Sequence, residues 1–304
     1  MKTILVLTDF SKSAKNAAEA AIKIAEVIHA DILLLNAYVV ATMLVTKEPM
    51  PWPLEYYKVL EQDSIDQLKI EEERLLEITA KQKRNKGSVN LSSLSRGGSL
   101  AEILSEIIKE KDITMIFMGG RHNKGSELLF GSDINHVINH ANRPVFIISA
   151  DQLNFPVRNV VFATDLSDED INSLNYVISL AKYFKFHIHV CHVTGKGEGN
   201  KESDHLSEFE RKTDKSKRSN LSFKDLKGQH ISEELTKFAD HTHADLLVLT
   251  HKKHSFFWRI LNETPATDLT RAHKQPLLIL PCSADSSIFI PFLPFDSFIP
   301  DDGK

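Results

Sequence analysis

The sequence predicts an α/β protein made of two tandem sandwiches, each a five-stranded, mostly parallel sheet between layers of helices. Two observations predict it. Short apolar runs alternate with longer stretches of helical period, the pattern of a parallel sheet covered on both faces. The pattern is also written twice. Ile4-Leu-Val-Leu-Thr-Asp-Phe-Ser11 returns as Val160-Val-Phe-Ala-Thr-Asp-Leu-Ser167, and the same offset carries residues 24–26 onto 180–182 and 32–36 onto 188–192. A second constant offset aligns 112–118 with 244–250, and Asn142-Arg-Pro-Val with Lys274-Gln-Pro-Leu. The second copy is shorter only in its middle.

In the first copy, residues 3–8 read as a strand and 13–29 as a helix, with alanines and Ile22, Ile24, Ala25 and Ile28 supplying its apolar face. Ser11 or Ser13 can cap that helix. A strand at 32–37, a long helix from about Leu54, a short strand at 88–94, a helix at 100–110 and a strand at 113–118 follow. A glycine-rich loop, a helix at 132–141 and a strand at 145–149 complete the copy. The elaboration at 42–86 contains Pro49-Met-Pro-Trp-Pro53, and Asn154-Phe-Pro-Val marks the boundary between copies. The expected organisation is a domain at 1–150, a linker at 151–156, a second domain at 157–282 and an apolar tail at 283–304. The two domains are expected to pair through antiparallel contact of strands 145–149 and 277–280.

The chain has 304 residues and a formal charge of −4, which argues against a nucleic-acid surface. The Lys-rich stretch 211–227 is interleaved with Ser, Thr and Asp, and reads as a solvated, mobile segment. The start MKTILVLTDF lacks the form of a signal peptide, and no apolar run has the length needed to cross a bilayer, so the expectation is a cytoplasmic protein without a membrane partner. Cys191 and Cys282 lie in apolar strand-like runs and read as reduced core thiols.

Sequence order brings three elements to one sheet edge: Thr8-Asp9 after the first strand, Ala37 after the second and the loop 118–132 after the fourth. Gly119 would let backbone approach a ligand closely, and Gly131-Ser132 opens a helix whose free N–H groups favour an anion. Asp9 could accept from a ribose or a base, or cap the helix that follows it. The general phosphate motifs fail. Gly120-Arg-His-Asn-Lys-Gly125-Ser126 has P-loop glycine spacing but Ser where the Lys belongs, and the loop follows the fourth strand rather than the first.

This layout resembles the universal stress protein family. Thr-Asp-Phe-Ser after the first strand, Met-Gly after the fourth, Phe-Gly-Ser closing the loop and Asn-Arg-Pro-Val-Phe-Ile-Ile in the last strand match the family over 1–150, and 157–282 match as a diverged second copy. The resemblance implies a tandem member with Rossmann-like, adenine nucleotide alpha hydrolase-like sandwiches. It also implies ATP or AMP in the first domain, with Asp9 and the backbone of Ala37 beside adenine and ribose, and Met118, Gly119, Gly131 and Ser132 on the phosphate side. His122 stands where the family pattern has its second glycine, and the interval is one residue short. In the second copy, His251 stands opposite Gly119 and Glu263 opposite Gly131, so no nucleotide is expected there although Asp165 persists.

No triad or nucleophile elbow is present, no catalytic residue is nominated, and enzyme status finds no support. His187, His189 and His192 lie on one strand, and His241, His243, His251 and His254 surround another, with no spacing that fixes a metal site. They read as structural histidines. The tail 288–300 reads as a segment docked on the body or presented to an unknown protein partner. Three functions follow as expectations: a regulatory binding module with a nucleotide site in the first domain only, a nucleotide-independent scaffold acting through partners, and a slow ATP hydrolase. A homodimer is a further assembly that the family resemblance allows.

Overall fold

The structure is a computed structural model, and it describes residues 2–38, 54–82, 89–120, 131–148, 156–194, 201–213, 220–228, 230–252 and 275–282. In chain order the elements of the first half are β1 (Thr3–Leu7), α1 (Lys12–Ile28), β2 (Asp31–Tyr38), α2 (Leu54–Gln82), β3 (Leu91–Gly97), α3 (Leu100–Glu110), β4 (Ile113–Gly119), α4 (Gly131–Ala141) and β5 (Val145–Ile148). The second half runs β6 (Asn159–Ala163), α5 (Asp168–Phe184), β7 (His187–Thr194), α6 (Lys201–Lys212), β8 (Leu221–Lys227), α7 (Ile231–His241), β9 (Leu246–His251) and β10 (Leu277–Pro281).

All ten strands form one sheet, in the order β3-β2-β1-β4-β5-β10-β9-β6-β7-β8. Every pairing is parallel except that of β5 with β10, which is antiparallel and matches Val145 with Ile279, Phe146 with Leu278 and Ile147 with Leu277. The repeat carries Phe146 onto Leu278, so the seam is centred on a residue and its own counterpart. That is the register of an isologous contact about a two-fold axis. The expected pairing of strands 145–149 and 277–280 is therefore observed.

Side chains alternate across the sheet. Ile4, Val6, Ile32, Leu34, Met115 and Phe117 point to one face, with α1, α2 and α5, and Phe209 of α6. Leu5, Leu7, Leu33, Leu35, Ile116 and Met118 point to the other, with α3, α4 and α7. Each cluster runs through both halves. Phe117 and Phe146 stack across β4 and β5 with ring centroids 4.5 Å apart. On the first face Arg74 of α2 reaches Glu71 and, on α1, Glu19 and the Lys15 carbonyl.

Two expectations need correction. Residues 221–227 are not a solvated segment but β8, paired in parallel with β7 from Ile188↔Leu221 to Thr194↔Lys227. An edge strand tolerates Lys224 and Lys227 on its exposed positions, while Leu221, Phe223 and Leu226 pack inward. The start of that stretch, Arg211 and Lys212, closes α6. Cys191 is buried as expected, but Cys282 is exposed, because β10 ends at Pro281 and leaves the cysteine just past it. The apolar tail 288–300 lies outside the described residues.

Candidate functional site

The strand order of the first half reverses between β1 and β4: the chain leaves β1 toward β2 on one side and returns to β4 on the other. Crossovers diverge at such a point, and the crevice at the carboxyl ends of the two strands is where α/β sheets take ligands. The crevice is built from Thr8-Asp9-Phe10-Ser11 after β1, Gly119-Gly120 at the end of β4 and the first turn of α4.

The turn after β1 satisfies itself. Phe10 N–H donates to Thr8 Oγ1 and Ser11 N–H to Asp9 Oδ1, both at 3.0 Å, while Phe10 takes the left-handed conformation at φ 63°. Ser11 then caps α1, its hydroxyl accepting from Ala14 N–H at 3.2 Å. A polar chain supports the turn from beneath: Ser95 donates to Ser64, Ser64 to Asn36 Oδ1, and Asn36 Nδ2 to the Thr8 carbonyl at 2.7 Å. Sequence reasoning did not single out Asn36, Ser64 or Ser95. The available signal was an asparagine at the end of an otherwise apolar strand.

Of the residues expected to hold a nucleotide, Asp9 is half-buried at the crevice, and Ala37 lies on β2 paired with Arg96 of β3. Met118 reaches the crevice with its backbone only, since its side chain is fully buried in the core. Gly119 has a structural cause. A Cβ there would lie 2.6 Å from Ala14 N and 2.7 Å from Ser13 Oγ, so the first turn of α1 takes the space the missing side chain leaves. Gly131 and Ser132 open α4. The loop 121–130, with His122, lies outside the described residues.

The second half repeats the turn. Leu166 N–H donates to Thr164 Oγ1, Ser167 N–H to Asp165 Oδ1, and Leu166 has φ 64°. His192 takes the part of Asn36, its Nδ1 donating to the Thr164 carbonyl at 2.9 Å. The crevice itself differs. Lys252, nearly buried, places its ammonium 2.5 Å from Asp165 Oδ1 and 2.8 Å from Oδ1 of the fully buried Asp170, and also contacts Ser167 Oγ. Asp170 Oδ2 accepts from the Thr164 hydroxyl at 2.7 Å and from Asp165 N–H at 3.0 Å.

Two carboxylates share one cation. Burial pushes the Asp170 carboxyl up, with the Asp165 charge adding to it, beyond what Lys252 offsets. Burial also raises Asp165, but the hydrogen bond and charge of Lys252 outweigh it and hold Asp165 below the ordinary aspartate range. Burial lowers Lys252, and the two carboxylates more than restore it.

Two of the histidines expected to be structural, His187 and His189, are tied to the sheet. His187 and His189 stand with ring centroids 4.6 Å apart and share the Ser222 hydroxyl, at 3.2 and 2.9 Å. Burial, and then the charge of His187, lower the pKa of His189. His189 lines an open cavity of about 510 Å³ between β7, β8 and α7. Among the described residues no three His, Cys, Asp or Glu side chains gather as metal ligands.

The family model described as the universal stress protein family matches residues 1–149. Through this first half the chain belongs to the universal stress protein family. Among solved structures, a universal stress protein from Archaeoglobus fulgidus DSM 4304 is similar over 92% of this chain and 98% of its own, at 16% identity and a TM-score of 0.67. A functionally unknown protein from Pseudomonas aeruginosa PAO1 is similar over 95% of both chains, at 14% identity and a TM-score of 0.55. At these identities the likeness is one of fold, and it extends through both halves. No curated protein sequence matches the chain.

Proposed function

We propose that this universal stress protein is a stress-response binding module that takes one adenine nucleotide, ATP or AMP, in the crevice of its first half. In this reading residues 1–150 and 157–282 are two domains joined by 151–156, and the second domain holds no nucleotide. The observation that carries the reading is Gly120. It follows β4 with no side chain, where the second half has Lys252 lying against Asp165. Among the described residues no cation therefore reaches the carboxylate of Asp9 from the end of β4, which suits a ligand that brings its own hydroxyl or amino donors. The first turn of α4 supplies free N–H groups for a phosphate. Asp9 and the Ala37 backbone hold adenine and ribose, while Met118, Gly119, Gly131 and Ser132 line the phosphate side.

Calorimetric titration of ATP and of AMP into the full chain tests this. The expected result is one nucleotide per chain, abolished by Asp9→Ala and unchanged by Asp165→Ala. No binding, or two per chain, would overturn it. Following ADP release in the same samples separates binding from turnover.

A nucleotide-independent scaffold is the second reading, favoured by one observation: packing against α1 already accounts for Gly119. In that reading the working surfaces are those offered to protein partners, the tail 283–304 among them. Among the described residues no helix is long and apolar enough to cross a membrane, and a cytoplasmic location is proposed with either reading.

A further inference from the structure

The offset that maps Thr8–Ser11 onto Thr164–Ser167 places Asp170 at the position of Ala14, and the offset that maps β4 onto β9 places Lys252 at that of Gly120. The two replacements meet in space. Ala14 and Gly120 can hold no charge; Asp170 and Lys252 form an ion pair at 2.8 Å. We propose that Lys252 is a tethered occupant of the second half's crevice, a primary ammonium that fills in cis the place an outside ligand would need.

The fit of the ammonium supports this. Of the three N–H donors of an ammonium, two have partners in Asp165 Oδ1 and Ser167 Oγ, and the charge is paired with Asp170 Oδ1 at 2.8 Å. Asp170 is held for the task by the Thr164 hydroxyl and the Asp165 N–H. A lysine this buried is tolerated only where its charge is paired and its donors are used. Ala14/Gly120 against Asp170/Lys252 is therefore the difference that puts an ion pair into one crevice and none at the matching positions of the other. The inference does not depend on which ligand the first half takes.

The test is chemical rescue in the full, nucleotide-free chain. Lys252→Gly deletes a four-carbon ammonium and leaves its slot. Its Tm is expected to fall by about 5 °C or more. Millimolar n-butylammonium, the deleted fragment, is expected to restore at least half of the loss. Tetramethylammonium at equal ionic strength, too bulky and without N–H donors, is expected to restore none, and neither ion should shift the wild type. An undiminished Tm, or equal effects of the two ions, overturns the proposal.

Should Lys252→Gly not fold, the double variant Asp170→Ala/Lys252→Gly carries the first-half pair. It is expected to fold with a Tm within a few degrees of wild type, since cation and buried carboxylate leave together. A double variant that also fails to fold would show that Lys252 acts through packing and would sink the idea. A negative ATP titration would refute the nucleotide reading of the first half and leave this result standing.

Discussion

Gly119→Ala separates a glycine kept for a ligand from one kept for the fold. The added Cβ would stand 2.6 Å from Ala14 N, 2.7 Å from Ser13 Oγ and 2.8 Å from the Ser13 carbonyl carbon. Two of these are backbone atoms of α1, so no side-chain rotation relieves the contact. The helix must retreat by about 1 Å to reach ordinary van der Waals separation. Its inner face, Ala17, Ala21 and Ala25, is fully buried on the sheet and follows. Overpacking of a tight site costs about 1–3 kcal/mol, and a clash with backbone belongs at about 3. The entropy of unfolding is about 2.1 cal/mol/K per residue. Over 304 residues that makes about 0.6 kcal/mol/K, and Tm falls by about 5 °C if the chain melts as one unit. It falls by roughly twice that if the first half melts alone. Scanning calorimetry without nucleotide measures it. A fall below about 1 °C, with nucleotide affinity lost, would refute the packing argument and return Gly119 to the ligand.

Lys252→Met leaves Asp165 and Asp170 without their cation, so burial raises both carboxyls. The variant should be less stable than wild type at pH 7, and the deficit should shrink as acidification protonates the two groups in the folded state. Urea midpoints at pH 7 and 5 check this, and a deficit independent of pH would contradict it. In wild type the two aspartates oppose one another. The contribution of Asp165, whose pKa is lowered, is present above the ordinary aspartate value and is lost as pH falls; that of Asp170, whose pKa is raised, grows as pH falls. Arg74→Ala removes the fork from Glu71, whose side chain is 3% exposed; a loss of about 3 kcal/mol in urea unfolding is expected, and less than 1 would show that the fork contributes little. Asn36→Ala deprives the Thr8 carbonyl of its donor and the Ser64 hydroxyl of its acceptor. The cost should be about 2 kcal/mol by the same assay, and a neutral outcome would mean that water takes over both bonds.

The interior of the sheet was legible because its strands are continuous apolar runs and because the chain repeats. β1, α3, β4 and β5 lie within a residue of where the pattern put them. The two edge strands were harder to read. β3 begins three residues later than the pattern predicts and β8 reads from sequence as a mobile segment, since a strand with one neighbour can carry Ser92, Ser95, Lys224 and Lys227 and loses the apolar continuity that marks a central strand. Thr8-Asp9 and the capping Ser11 were legible as a turn, because side-chain oxygens two and three residues from an N–H close locally. The cause of Gly119 was not legible: its neighbour is the first turn of α1, far away in sequence, and only the fold brings them together. The offsets already implied that Asp170 and Lys252 replace Ala14 and Gly120. That the two face each other depends on β6 lying beside β9, which no spacing discloses.

The antiparallel seam of β5 and β10 settles a question of stoichiometry. Two unlinked chains with self-complementary edge strands would sort into three pairings, two of like with like and one mixed. Joined in one polypeptide, the halves meet at the effective concentration of neighbours on a tether, and the mixed pairing prevails. Every molecule then carries one crevice of each kind, so the second copy is free to acquire Asp170 and Lys252 while no assembly ever lacks the first.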